Sequence, residues 1–197
     1  MADTLATKMR RGPLDGIDAS LASNGNVALR PTGFRTLVNL RAGADDRAFA
    51  SALSDLFGLE LPAEANRYIG NGEHTLLWLG PDEWLLLAPD NEAPGIENRL
   101  RAALGDDPWL AVVDLSHNYT GLTLSGPSAR DVLAKGCPLD LHPRTFREGQ
   151  CAQTILAGTR VLLRAMASDT FELWVRNSFA RYTVQWLTDA MAEYRGG

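Results

Sequence analysis

The sequence predicts an α+β fold whose first half is a split βαβ, ferredoxin-like unit. Three observations lead there. Between Phe34 and Leu115 the apolar period switches from the strand value of 2 to the helical value of about 3.6 and back, in the order β-α-β-β-α-β. Beyond Leu115 a similar order recurs: strand, helix, antiparallel strands, helix. Turn-forming residues punctuate both halves at the places where the period changes.

Residues 1–25 read as an extended N-terminal arm. Gly12-Pro13, Gly16 and Ser23-Asn24-Gly25-Asn26 interrupt it, and its apolar residues keep no period. Such an arm is either a solvated extension or a strap around a partner. Residues 26–115 form the first half. Phe34, Thr36, Val38 and Leu40 alternate as one face of a strand. Asp45 or Asp46 caps a helix with Phe49, Leu53, Leu56 and Phe57 as its apolar stripe, and Gly58 ends it. An irregular link runs from Pro62 through Asn71-Gly72. Strands follow at His74–Leu79 and Glu83–Ala88, joined by a Gly80-Pro81-Asp82 turn. Pro94-Gly95 precede a second helix with Ile96, Leu100, Ala103 and Leu104 on one face, closed by Gly105. Trp109–Leu115 reads as a strongly apolar strand.

Residues 116–197 form the second half, packed with the first as one compact domain. Tyr119–Leu124 is a strand. Ser125 is placed to cap the short helix Pro127–Lys135, with Ala129, Val132 and Leu133 inward and Gly136 at its stop. A long ordered connection then returns to strands Cys151–Leu156, Arg160–Met166 and Phe171–Val175. Ser178 caps a final helix whose inner face is Tyr182, Trp186, Leu187 and Ala190.

Composition excludes several classes. With 19 basic and 24 acidic residues the net charge is −5, and no basic cluster exceeds Lys8-Met9-Arg10-Arg11, which argues against nucleic-acid binding. Apolar residues make up 45 %, ordinary for a globular chain. No run approaches the roughly 18 apolar residues of a membrane span. The N-terminus carries no signal-peptide h-region, and two cysteines, Cys137 and Cys151, fit a reducing cytoplasm.

Several residue sets invite a chemical reading. Cys137, His142 and Cys151 have the spacing C-x4-H-x8-C, which lacks a fourth ligand; the plain reading is buried thiols. Ser116 and His117 are neighbours beside Asp114, so their side chains diverge in an extended chain, and the plain reading is a strand-end turn stabilised by Asp114 or Ser116. Gly70-Asn71-Gly72 enters a strand rather than a helix, so no dinucleotide fingerprint is present. Five tryptophans remain, and Trp78 and Trp84, flanking one hairpin, are the candidate interface residues. No catalytic, cofactor-binding or metal-ligating residue is assigned.

The stretch Asp114–Thr154 carries a family likeness. Ser125-Gly126-Pro127-Ser128-Ala129-Arg130-Asp131-Val132-Leu133, then Leu139-Asp140-Leu141, then Phe146, Gly149 and Thr154, resemble the folate-binding module of the glycine-cleavage aminomethyltransferase superfamily. Within it, Lys135-Gly136-Cys137-Pro138, Gly149-Gln150-Cys151-Ala152-Gln153-Thr154, Arg176-Asn177-Ser178-Phe179-Ala180 and Gly80-Pro81-Asp82-Glu83-Trp84 resemble the gamma subunits of heterotetrameric sarcosine oxidases. The resemblance covers roughly residues 30–192. It implies a duplicated ferredoxin-like fold and a structural, non-catalytic subunit of an oxidoreductase. That complex would demethylate sarcosine oxidatively to glycine, with hydrogen peroxide and formaldehyde or methylenetetrahydrofolate. It further implies alpha, beta and delta subunits as partners, with FAD, FMN, NAD and tetrahydrofolate belonging to the whole complex and none to this chain. The superfamily's transferases use an aspartate after the strand near Thr154, whereas no acidic residue occurs here between Thr154 and Met166. The alternative implied by the same likeness is a stand-alone folate-binding protein or aminomethyltransferase-like enzyme.

Overall fold

The computed structural model of the chain describes residues 11–17, 22–23, 25–43, 45–105 and 107–194. Lys8 to Arg10, Asn24 and most of the expected arm therefore lie outside the described residues. Among the described residues, two antiparallel sheets and four α-helices make up the fold.

The chain enters through β1 (Ala22–Ser23) and β2 (Ala28–Pro31), then β3 (Thr36–Arg41). Helix α1 (Arg47–Phe57) follows, capped as its sequence requires: the Asp46 carboxylate accepts from the Ala48 and Phe49 amides. Gly58 ends it at φ 62°, a left-handed conformation that glycine adopts without Cβ strain. Next come β4 (Tyr68–Gly70), β5 (Thr75–Gly80), β6 (Glu83–Ala88), α2 (Ala93–Leu104) and β7 (Ala111–Asp114). The remainder is β8 (Tyr119–Ser125), α3 (Ala129–Ala134), β9 (Cys151–Leu156), β10 (Thr159–Ala167), β11 (Thr170–Arg176) and α4 (Ala180–Ala190).

One sheet has the order β4-β5-β6-β3-β7 and the other β1-β2-β8-β11-β10-β9. The orders correspond: β7-β3-β6-β5-β4 matches β2-β8-β11-β10-β9. Two strands, β1 and β2, break the sequential pattern. Although β2 precedes the whole of the first sheet in sequence, its residues 28–31 pair with β8 in the six-stranded sheet, and Val27 and Leu29 are buried in that sheet's core.

Alternation assigns each strand residue to one of three cores. Val38, Leu40, Leu76, Trp84 and Leu86 pack under α1 and α2. Leu122, Leu124, Leu163, Phe171 and Val175 pack under α3 and α4. The opposite faces meet in a seam of Leu37, Leu77, Leu85, Leu87, Cys151, Leu162 and Trp174. The molecule is thus layered helix, sheet, sheet, helix. Close approach at β8 demands glycine: a Cβ on Gly121 would lie 2.0 Å from Thr32 Oγ1 and 2.7 Å from the Trp174 ring.

Several expectations need correction. The apolar strand expected at Trp109–Leu115 is the four-residue edge strand β7, and Trp109 lies outside it, in the preceding turn, where it stands 80 % exposed. Strand β4 falls inside the expected irregular link; three residues are too few to show a period. Ser125 is the last residue of β8, and Ser128 occupies the N-cap position of α3 without a side-chain cap. Ser178 lies in a 3-10 turn before α4, whose buried face is Ala180, Thr183, Val184, Leu187 and Ala190, while Tyr182 is exposed. The long connection after α3 is ordered as expected. Arg130 holds it, donating to the carbonyls of Leu141, Phe146 and Ser168 while its guanidinium lies 4.8 Å from the Phe171 ring centre.

Candidate functional site

The candidate site is the space between the two sheets. Toward one end it is filled, and its polar groups are mutually bonded. Arg164 on β10 and Glu172 on β11 are direct cross-strand partners, 9 % and 6 % exposed. Their Nε–Oε2 distance is 2.6 Å, and the Trp174 indole donates to the same oxygen at 2.8 Å. Each charge is therefore compensated, which a buried ion requires. The Arg164 guanidinium lies 5.1 Å from the ring centre of Tyr68, whose hydroxyl donates to the Ala165 carbonyl at 2.8 Å. Burial raises the Tyr68 pKa against the opposing pull of Arg164. Burial also pushes the Cys151 thiol up to about 12, with Arg67 and Trp78 carbonyls as its sulfur's neighbours.

Toward the other end the sheets leave an open cleft of about 650 Å³. Leu85, Asn39 and Val113 line it from the five-stranded sheet, and Ile155, Arg160 and Arg176 from the other. Glu83 is the one carboxylate among the lining residues. It is already engaged: Arg41 sits 2.8 Å from one oxygen and Asn39 Nδ2 donates to the other at 2.7 Å. Gln153 crosses the gap, donating to the Leu79 carbonyl at 3.2 Å. Arg176 stacks over the Tyr119 ring at 4.6 Å.

A second cavity of about 450 Å³ lies under the described part of the arm. Arg181 fastens that part by donating to the carbonyls of Pro13 and Asp15, and Leu14 and Ile17 pack onto the α3–α4 core.

The sequence-singled residues fall as follows. Trp84 is 3 % exposed and packs 5.5 Å from Phe49 beneath α1, so it is a core residue and not a surface one. Its even position on β6 turns it to the helix side. Its indole nitrogen is buried without a hydrogen-bond partner among the described residues. Trp78 is partly buried against the same core. The Ser116 hydroxyl donates to Asp114 and accepts from the Leu37 amide, the strand-end turn expected there. Cys137 and Cys151 belong to cores on opposite faces of the six-stranded sheet, and the exposed His142 ring accepts from the Arg144 amide. The structure does not bring these three together.

Sequence reasoning missed Arg164, Glu172, Asn39, Glu83, Arg160 and Arg176. One signal was available. Arg164 and Glu172 are charges within apolar stretches of two strands flanking a short turn, and a hairpin of that length sets them opposite each other.

Chemically, the site offers two arginines, two amides and apolar walls. Proton transfer to a bound amine or folate nitrogen needs a carboxylate free to exchange its proton. Glu83 and Glu172 are each held by two donors. Among the described residues, Glu83 is the only carboxylate the cleft lining presents to a bound amine or folate nitrogen.

A family profile described as "Sarcosine oxidase, gamma subunit family" matches residues 41–193. "Sarcosine oxidase subunit gamma" of Corynebacterium sp. (strain P-1) is 42 % identical over 193 residues, covering 96 % of this chain and 93 % of that protein. The protein of the same description from Arthrobacter sp. is 41 % identical with the same coverage. Among solved structures, "Heterotetrameric Sarcosine Oxidase from Corynebacterium sp. U-96 in complex with pyrrole 2-carboxylate" contains a chain that superposes with a TM-score of 0.85 at 38 % identity, covering 96 % of this chain and 98 % of that one. The glycine cleavage system aminomethyltransferase T from Bartonella henselae shares the fold, with a TM-score of 0.63 at 17 % identity over 93 % of this chain and 50 % of that one.

Proposed function

The chain belongs to the sarcosine oxidase gamma subunit family, and on that premise we propose that it is a non-catalytic assembly subunit of a heterotetrameric sarcosine oxidase. Its partners in this reading are the alpha, beta and delta subunits, which carry FAD, FMN, NAD and the tetrahydrofolate site. The complex takes sarcosine, dioxygen and water to glycine, formaldehyde and hydrogen peroxide, and tetrahydrofolate captures the one-carbon unit as methylenetetrahydrofolate.

The observation that carries the non-catalytic role is the state of the inter-sheet carboxylates. Glu83, the one carboxylate lining the cleft, is tied to Arg41 and Asn39, and Glu172 is sealed in the seam against Arg164 and Trp174. The matched strand orders of the two sheets support reading them as two ferredoxin-like copies, and their shared seam supports one compact domain. The two buried, unbridged cysteines support a cytoplasmic location.

The test is co-expression of the larger subunits with and without this chain. Omitting it is expected to lower the yield and thermal stability of the complex. Glu83→Gln in this chain is expected to leave kcat for sarcosine within about twofold, since in this reading the acid–base groups of the reaction belong to the larger subunits. Full activity and full thermal stability without the chain would sink the proposal.

A further inference from the structure

Four of the large apolar side chains that stay exposed gather at one end of the molecule, around the mouth of the inter-sheet cleft. Val113, Ile155, Phe179 and Tyr182 are each 46–47 % exposed. Val113 and Ile155 line the cleft itself, one from each sheet. Phe179 lies three residues past Arg176, in the turn that leads from β11 into α4. Tyr182 is tied to the same end because its hydroxyl donates to the carbonyl of Ala157, in the turn joining β9 to β10. Apolar groups clustered on one surface, rimmed by polar ones, are the mark of an interaction site.

The charges at this end are equally one-sided. Arg160 is the cross-strand neighbour of Ile155, and Arg176 that of Tyr119. Both arginines are exposed and line the cleft, and neither has a carboxylate within ion-pair distance among the described residues. This occurs on a chain of net charge −5. The one lining carboxylate, Glu83, is taken by Arg41 and Asn39. What the surface lacks is an anion, and arginine is the side chain best shaped to take a carboxylate through paired N–H bonds.

We propose that this end is the docking surface for an extended, acidic segment of a larger subunit. In that segment an Asp or Glu pairs with Arg160 and Arg176, and adjoining apolar side chains enter the cleft and cover Phe179 and Tyr182. The inference rests on the assembly reading above and names the surface that assembly uses. The occupant is a polypeptide because Phe179 and Tyr182 stand outside the cleft, where a small molecule seated within it leaves them bare. It is a different chain because two copies meeting symmetrically through this surface set arginine against arginine, a like-charge contact that interfaces exclude.

The experiment co-expresses the tagged chain with the larger subunits and measures their recovery on the tag. The double variant Arg160→Glu/Arg176→Glu is expected to recover them at least about tenfold less well. Its own far-UV circular dichroism and unfolding midpoint are expected to stay unchanged, since both side chains are exposed. In a second arm, Arg160→Lys is assembled into the complex and treated with a water-soluble carbodiimide. The introduced lysine is expected to form an amide with an Asp or Glu of a larger subunit, mapped by mass spectrometry. Wild-type-like recovery by the double variant would overturn this inference alone. So would a cross-link found only between copies of this chain. Failure of the wild-type chain to recover any larger subunit would overturn the assembly reading, and this inference with it.

Discussion

Arg164 and Glu172 show how much one buried pair can hold. The carboxylate binds a guanidinium and an indole, and the guanidinium covers Tyr68 from the opposite sheet. Truncating either partner alone leaves an uncompensated charge in the seam, so Glu172→Ala or Arg164→Ala is expected to cost about 3–5 kcal/mol in urea unfolding. The double change Arg164→Met/Glu172→Leu is expected to recover most of that loss, because no charge is then stranded. Cys151 gives a pH signature in the same seam. Its thiol is raised by burial from 9.0 to about 12. The folded chain therefore keeps a proton that the unfolded chain releases. The stabilisation is complete below pH 9 and is lost as pH rises through about 12. The difference in urea midpoint between the parent chain and Cys151→Ala is expected to shrink from pH 8 to pH 11. A constant difference would refute the assignment.

At the scale of elements, two side chains organise more backbone than their size indicates. Asp46 satisfies two amides at the start of α1, and Asp46→Ala is expected to destabilise by about 1 kcal/mol in thermal or urea unfolding. Arg130 projects from α3 and gathers three carbonyls, from Leu141, Phe146 and Ser168. It fixes the connection between α3 and β9 that no regular structure supports. Arg130→Ala is expected to cost about 2–3 kcal/mol and to speed amide hydrogen exchange between residues 137 and 150. Exchange unchanged in that segment would count against the clamp. Elements with local causes were the legible ones. Helix α1 carries its cap, stripe and terminal glycine within 13 residues, Asp46 to Gly58, and its limits were read correctly. Helix α4 was read with Leu187 and Ala190 correctly inward and Trp186 packed partly against the core, but Tyr182 is exposed while the sheet below selects Thr183 and Val184.

For the whole molecule, β2 is the decisive strand. It crosses from the N-terminal end to join β8, and it carries Leu29 into the core beneath α3 and α4. A chain beginning at Thr36 lacks Val27 and Leu29, each worth about 1.5–3 kcal/mol when fully buried, and leaves the edge of β8 bare. It is expected to be recovered as aggregate. A soluble truncated chain with an unchanged unfolding midpoint would contradict the role given to β2.

By itself the sequence determined the mixed α and β class, the limits of β6, β9 and α1, the strand-end turn at Asp114 and Ser116, and the family. These follow from period, capping chemistry and spaced motifs, all carried by residues near one another in the chain. The tertiary structure alone decided which sheet β2 joins, which faces of the two sheets meet, and that Trp84 lies in the core while Trp109 is exposed. It also decided that Glu83 and Glu172 are engaged while Arg160 and Arg176 line the cleft with no carboxylate at ion-pair distance among the described residues. These depend on contacts between residues far apart in sequence. Alternation marks two faces on every strand, but only the packing of one sheet against the other determines which face is sealed and where the seam is left open.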